Sequence, residues 1–568
     1  MANKRKIRTE SGTTTDAAAV KNIETINRFS KTEYIAVNLF CMMLFVVFGY
    51  IGIMSIFQTS IIDLASYANE VIFFQDDNIV LNLLCMGLLT ALLFRINKHT
   101  KFFEKVDMWF MEIGLFVFVA VTGFIWIFAV TSIPAADSYN IFETATQAVD
   151  GIYTSFFNYT DFYNSAFYDG ISYYNCYPFQ LGFVFISEII YRIFGTDNSM
   201  PVQIVNVLCV AAGYLAVAKI TKLTFARKKI EFIAIIFLAV CIQPILLCSF
   251  AYGNIIGMCC ALWASYFLIK YFKTLKYIYM LPCAVLLTVS TLAKYNNMIY
   301  LVAFAIMLLI HTVKTRKWQS VAFILALCIA TAGSSNLVIM SYEKRAGTQL
   351  EDGVSQVLYL DMGLNESYMA PGWYNGIALQ LYKDNNCNLD IAEQQAWAQI
   401  DARLDTFGND LNYTFDFFGK KILSQWNETT YESIWVSEVK GHETEVDFIG
   451  NAVYNGSFGQ FLELHFNMYM QVLFLLFAGG VFLLFANRKS DIATVLLPLV
   501  ILGGFGYHLL FEGKSQYILT YIPLLIPVAS YALFCLLDGK YVKIKEYIEK
   551  LKTIPEGRKI SNTTEETA

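Results

Sequence analysis

Long apolar runs separated by short polar links recur along the whole chain. Twelve of them lie at 34–57, 79–95, 108–131, 201–220, 230–250, 255–270, 277–292, 298–313, 321–340, 468–486, 492–510 and 517–537. Each approaches or reaches the roughly 17–25 residues that a helix needs to cross a hydrocarbon core. A backbone in lipid must satisfy its own polar groups, so the pattern predicts an all-α polytopic membrane protein of about 12 transmembrane helices. One further apolar segment, 179–194, is interrupted by Gln180, Ser187, Glu188, Tyr191 and Arg192. It reads as an amphipathic helix lying at the membrane interface. Glu188 and Arg192 stand four residues apart on it, a spacing suited to a structural ion pair.

Basic residues set the orientation. Lys and Arg gather in the links at 98–105, 219–229, 270–276, 314–317 and 488–489, and in both chain ends. The opposite links are poor in them: 58–78 has none and 131–200 has only Arg192. The positive-inside tendency makes the basic side cytoplasmic and puts both termini there. Twelve crossings satisfy this only if 179–194 does not cross. The first 31 residues lack the apolar core and cleavage site of a signal peptide and read as a cytoplasmic tail.

The division that follows is a tail at 1–33, two spans within 34–107, and a transmembrane core at 108–340 that includes an outer loop at 133–200. A large outer region at 341–467, three last spans within 468–537 and a cytoplasmic tail at 538–568 complete the chain. The first outer loop is crowded with Tyr and Phe, which suit a headgroup-level interface and also suit stacking on sugar rings. The outer region predicts helices at 391–404 and 415–426.

Composition agrees: 56% of residues are hydrophobic and 16% aromatic, a balance that would leave a soluble surface mostly apolar. Most cysteines sit inside apolar runs; Cys176 and Cys387 fall in outer loops, and spacing does not decide whether they pair. The scattered basic residues form no nucleic-acid stripe. Phosphate-binding glycine loops, H-E-x-x-H, Cys-x-x-Cys and G-x-S-x-G are all missing from the sequence. The five His are dispersed, and no metal site or other cofactor is indicated.

What remains are polar groups at the outer ends of spans. Asp137 follows Pro134 just after the third span and precedes a helical stretch, so it is either a helix N-cap or a working carboxylate. Lys294, in Lys294-Tyr295-Asn296-Asn297, and Lys514, in Glu512-Gly513-Lys514-Ser515-Gln516-Tyr517, lie in very short links. Each either anchors by snorkelling or supplies a cation to a phosphate.

With these residues in view, the chain resembles the C-type (GT-C) integral-membrane glycosyltransferases, and among them the protein O-mannosyltransferases and lipid A aminoarabinose transferases. The resemblance is carried by Pro134 to Asp137 after a span and by Tyr177-Pro178-Phe179-Gln180, followed by a helix ending Arg192-Ile193-Phe194-Gly195. It continues through Tyr252-Gly253-Asn254, the Lys294 and Lys514 links, and Pro371-Gly372-Trp373-Tyr374-Asn375-Gly376. It spans about residues 108 to 537 and is strongest toward Gram-positive bacterial members that decorate envelope glycopolymers. The first two spans lie outside the usual core.

The resemblance implies transfer of a sugar from a polyprenyl-phosphate donor to a glycan, glycolipid or protein hydroxyl, with inversion, on the outer face of the plasma membrane. It implies Asp137 as general base and Lys294, Lys514, Gln516 and Tyr517 as donor and phosphate contacts. Tyr177, Gln180 and Glu143 become sugar or acceptor contacts. Relatives often carry paired acidic residues in the first outer loop, whereas Ser138 follows Asp137 here, so a divalent metal is left open but is not indicated. A flippase or transporter for lipid-linked glycans, a glycan polymerase or ligase, and a non-catalytic scaffold stand as the alternatives.

Overall fold

The computed structural model describes residues 29, 31–62, 70–97, 105–156, 171–316, 318–439, 446–486 and 490–539. The two terminal tails, the aromatic run 157–168 and the basic pair at 488–489 lie outside the described residues, as does most of the basic link at 98–105.

Among the described residues, ten helices are long and apolar enough to cross a membrane. They include α1 (Lys31–Phe57), α2 (Ile79–Asn97), α3 (Met108–Val130) and α6 (Met200–Phe225). α4 (Asp137–Val149) and α5 (Leu181–Phe194) come between α3 and α6. A bent pair, α7 (Lys228–Val240) with Gln243–Ser249, turns by 45° where Pro244 cannot continue the helix. α8 (Asn254–Thr274) is followed by the short apolar helix α9 (Met280–Ala293) with its 3₁₀ lead-in. Counting the bent pair and this short helix, the apolar segments number twelve, in the order expected from the sequence.

The remaining spans are α10 (Met298–Thr315), α11 (Gln319–Ala346), α18 (Ser457–Ala486), α19 (Ile492–Leu510) and α20 (Ile522–Leu537), the last entered through the turn Ser515–Ile518. The span Ser515–Leu537 is buried through its apolar window and forms the centre of the bundle, packed by α7 and α18. α2, by contrast, is only 6% buried and faces outward along its length.

α5 has 14 residues, about 21 Å of helix, and is not among the helices long and apolar enough to cross. Its inner face packs on α4, α9 and α11. Glu188 is buried there and pairs with Arg192 at 2.7 Å and with Arg345 of α11 at 2.8 Å, while the Tyr342 hydroxyl donates to it. The pair expected from spacing is thus a structural fastening between α5 and α11.

The region between α11 and α18 is helical: α12 (Gln356–Leu364), α13 (Ile377–Asp384), α14 (Leu389–Asn409), α15 (Leu411–Trp426), α16 (Ser433–Val439) and α17 (Phe448–Tyr454). α14 and α15 start earlier than the sequence pattern predicts. Asn388 caps α14 through the Ile391 amide and Asp410 caps α15 through the Tyr413 amide, which commits residues before the first apolar positions to helix.

The helical architecture expected from the sequence holds, with one small addition. The all-α reading misses an antiparallel hairpin, β1 (Gln58–Ile62) with β2 (Ile72–Asp76), paired from Gln58 with Asp76 to Ile62 with Ile72. Five-residue strands continuous with an apolar helix carry too little alternation to be read as strands. The hairpin is stitched to the outer region by Ser60 N to Asn427 O (3.1 Å) and Ile72 N to Met369 O (3.0 Å).

Candidate active site

Asp137 sits where α3 ends. Thr131 closes α3 in the left-handed region (φ 42°), and Ala136, at φ 49° and ψ −131°, occupies the N-cap of α4. Asp137 is therefore the first helical residue, not the cap, and it stays exposed. The loop is closed instead by Ser138, whose hydroxyl donates to Ala135 O at 2.7 Å and accepts from Ala135 N at 3.0 Å. The capping explanation for this carboxylate is thereby removed. Its electrostatic neighbours are Tyr252 and Lys294.

Lys294 ends α9 in an extended conformation. Its Nζ lies 4.2 Å from the Tyr252 ring centre and 4.9 Å from that of Tyr517, a cation held by π faces. The link fits because Gly253 has no Cβ: one built there would stand 1.7 Å from the Ala293 carbonyl oxygen. Burial lowers the Lys294 ammonium to about 8, against the pull of Asp137 and Glu512, while Lys514 adds to the lowering. Gln180 donates to the Tyr252 hydroxyl at 2.5 Å and the Phe183 ring packs edge-on to Tyr252, so the Tyr177-Pro178-Phe179-Gln180 turn fixes this tyrosine.

The 511–517 turn forms the opposite wall. Gly513 N donates to Gly372 O (3.2 Å) and Glu512 N to Tyr359 O (3.3 Å), bringing the Pro371-to-Gly376 loop and α12 against it. Lys421, fully buried, donates to Phe511 O at 2.9 Å and to Gly363 O. Gly372 (φ +71°) leaves room for that ammonium, which a Cβ would strike at 2.5 Å. Lys514 forms an ion pair with Glu70, which comes from the segment leading into β2. Ser515 donates its hydroxyl to Glu428 (2.9 Å), and Gln516 donates to Glu432 through its amide group (2.7 Å) and its backbone N–H (3.3 Å).

The electrostatics follow from burial. Desolvation raises Glu512 and Glu428 above the usual carboxylate range. It pushes Glu432 up as well, helped by Glu70 and Glu428 and opposed by Lys514. Burial works against the Lys514 ammonium, but Glu70, Glu432 and Glu512 override it and hold its pKa above the ordinary lysine value. Tyr359 and Tyr374 are raised by burial, with Asp137 and Glu512 contributing to both. Lys294, Glu512, Tyr359, Tyr374 and Tyr517 all keep some accessible surface while enclosed by protein, as groups lining a recessed cleft do.

An apolar groove of ≈ 460 Å³ lies beside this cleft, between α10 and α19, with Ile299, Val302 and Ile306 facing Leu499 and Leu502. Tyr295, next to Lys294, and Tyr507 also line it.

The structure thus gathers Asp137, Gln180, Lys294, Lys514 and Tyr517 around one cleft. Gln516 is adjacent but spends its amide on Glu432. Glu143, on α4, accepts from Gln147 at 3.0 Å and neighbours Tyr174. Tyr177 packs tilted against the Tyr173 ring and edge-on to that of Phe179. Sequence reasoning missed Glu70, Glu432, Tyr359 and Lys421; the one local signal was Glu512 and Tyr374 standing inside motifs already singled out. Among the described residues no group of three or more His, Cys, Asp or Glu is arranged to hold a metal ion. Cys176 and Cys387 are both free thiols, and burial, with Cys387 nearby, raises Cys176 to about 12.

Residues 180–339 match the family described as dolichyl-phosphate-mannose-protein mannosyltransferase, in agreement with the resemblance read from the sequence. No curated protein matches the chain. Among solved structures, the chain is similar to the Archaeoglobus fulgidus oligosaccharyltransferase in complex with Zn and sulfate, at 13% identity and a TM-score of 0.39 over 77% of this chain. It spans about half, 51%, of that protein. It is also similar to ArnT from Cupriavidus metallidurans bound to undecaprenyl phosphate, at 13% identity and a TM-score of 0.32, covering 74% of this chain and 77% of that one.

Proposed function

We propose that the protein is an integral-membrane glycosyltransferase that takes a sugar from a polyprenyl-phosphate donor. It passes the sugar, with inversion, to a hydroxyl of an envelope glycan, glycolipid or protein on the outer face of the plasma membrane. The observation that carries this reading is the meeting of an exposed carboxylate, Asp137, with Lys294 and Lys514 across a tyrosine-lined cleft that adjoins an apolar groove. The family match over 180–339 supports the transferase class and the lipid-linked donor.

In this reading the lipid chain lies in the groove between α10 and α19 and presents its phosphate to Lys294, next to Tyr295. The acceptor oxygen attacks the anomeric carbon from the side opposite the phosphate, and its proton goes to Asp137. The bond from the anomeric carbon to the phosphate oxygen breaks, and its electron pair leaves with the lipid phosphate. Positive charge already in position stabilises that developing charge without reorganisation. The tyrosines supply faces for a sugar ring.

Asp137→Asn tests the assignment. A strain carrying it is expected to make envelope polymers that lack one side-chain sugar, while the variant accumulates in the membrane at the wild-type level. Undiminished transfer by the purified Asn variant refutes the general-base role, and a scaffold would tolerate this isosteric change.

A further inference from the structure

The two lysines of the cleft differ in a way that bears on the donor. Lys514 is ion-paired with Glu70, and both side chains are nearly buried, at 13% and 9% exposure. The Lys294 ammonium lies over two ring faces, and among the described residues no carboxylate is recorded within 4.0 Å of it. Glu70 is held in place by main-chain bonds: Ile72, two residues on, donates to Met369 O, and Ser60 on the partner strand donates to Asn427 O. Asn427 in turn donates its side chain to Gln58 O. The hairpin between the first two spans therefore delivers a fixed negative charge onto one of the two cations.

The charge count follows. Lys514 and Glu70 cancel. Glu432 and Glu512 also face this pair, and burial favours their neutral form. Asp137 is exposed, so water screens its charge from the enclosed phosphate site. One unit of positive charge, on Lys294, is left for the ligand. A sugar held by a single phosphate is a phosphodiester and carries one negative charge. A diphosphate carries at least one more, which would enter a desolvated cleft beside Glu70 without a partner.

We infer that Glu70 is a specificity determinant that restricts the cleft to a lipid-linked sugar carried on one phosphate and excludes one carried on a diphosphate. This rests on the proposed donor reading, and it assigns the restriction to a carboxylate rather than to the size of the cleft.

The test uses the full chain in nanodiscs, with farnesyl methyl phosphate (one negative charge) and farnesyl diphosphate as probes. Wild type is expected to bind the diester at least about tenfold more tightly, roughly 1.4 kcal/mol. Glu70→Gln should shrink that ratio by about tenfold or more through tighter diphosphate binding. Lys514→Met should widen it. The Glu70→Gln/Lys514→Met double variant, neutral at this position as the wild-type pair is, should return toward the wild-type ratio and guards against loss of folding in the single variant. The same ratio in all four proteins, or a wild-type preference for the diphosphate, overturns the role of Glu70 while leaving the donor reading intact. Failure of wild type to bind either probe overturns both.

Discussion

Lys294 is the point in the cleft where charge and burial oppose each other. Its ammonium, lowered by burial to about 8, is the form that would bind the phosphate of the proposed donor, and it is lost as pH rises through that value. Taken alone, a group of that pKa is ~0.9 protonated at pH 7 and ~0.1 at pH 9, so kcat/KM for the donor should fall about tenfold between them. A bound phosphate stabilises the ammonium, so the corresponding limb in kcat should lie at higher pH. Lys294→Arg keeps the charge at every accessible pH and should flatten the alkaline limb, at some loss of rate because a planar guanidinium sits differently between the two rings. Lys294→Met removes a unit charge that would stand about 4 Å from the phosphate, an interaction of about 4 kcal/mol at an effective dielectric constant near 20. That corresponds to about 10³ in kcat/KM. The assay is transfer of labelled sugar from a synthetic polyprenyl-phosphate donor by the nanodisc-embedded protein between pH 6.5 and 9.5. A Met variant within threefold of wild type, or a wild-type profile flat to pH 9.5, refutes the reasoning.

Other changes probe the supports of the cleft. Gly253→Ala places a Cβ against the Ala293 carbonyl oxygen and should cost about 2–3 kcal/mol, read as a lowered unfolding temperature together with lost transfer, because the same shift moves Lys294. Lys421→Met leaves the Gly363 and Phe511 carbonyls without their donor, at about 1–3 kcal/mol. It should weaken donor use through the displaced 511–517 turn; unchanged stability would mean that water replaces the ammonium. Glu188→Gln strips the counter-charge from two partly exposed arginines and should lower stability by about 1–3 kcal/mol with kcat/KM preserved in the folded fraction. A selective loss of transfer at unchanged stability would show that the α5–α11 fastening has a further role.

The spans were legible because the bilayer sets a minimum apolar length for a crossing helix, and 179–194 was legible as an amphipathic helix because polar residues interrupt its apolar run. The 45° bend after α7 was not, since Pro244 signals a break without saying whether the chain continues across the membrane. The hairpin at 58–76 was invisible for a similar reason. Its strands are stabilised by main-chain bonds to Asn427 and Met369, hundreds of residues away, and nothing local marks them.

Within the site, Asp137, Lys294 and Lys514 could be picked out because each is a charged group at the outer end of an apolar run, where charge is costly and therefore noticeable. Glu70 and Glu432 carry no such mark. Glu70 meets Lys514 across 444 positions, and Glu432 follows Tyr431 in a pair of left-handed residues (φ 51° and 58°) that no composition signal announces. Those partners explain the division of labour between the walls. Lys514 directly precedes the span buried through its apolar window, and Gln516 within that span's first turn is anchored to Glu432. This wall of the cleft is thus tied to the most buried span of the bundle. Asp137 instead begins α4 at an exposed position. In the proposed reaction the enclosed end of the cleft would hold the phosphate and the exposed end would admit the larger acceptor. With Asp137 as the proposed base, that division would keep it within reach of the acceptor proton without requiring the acceptor to pass through the membrane core.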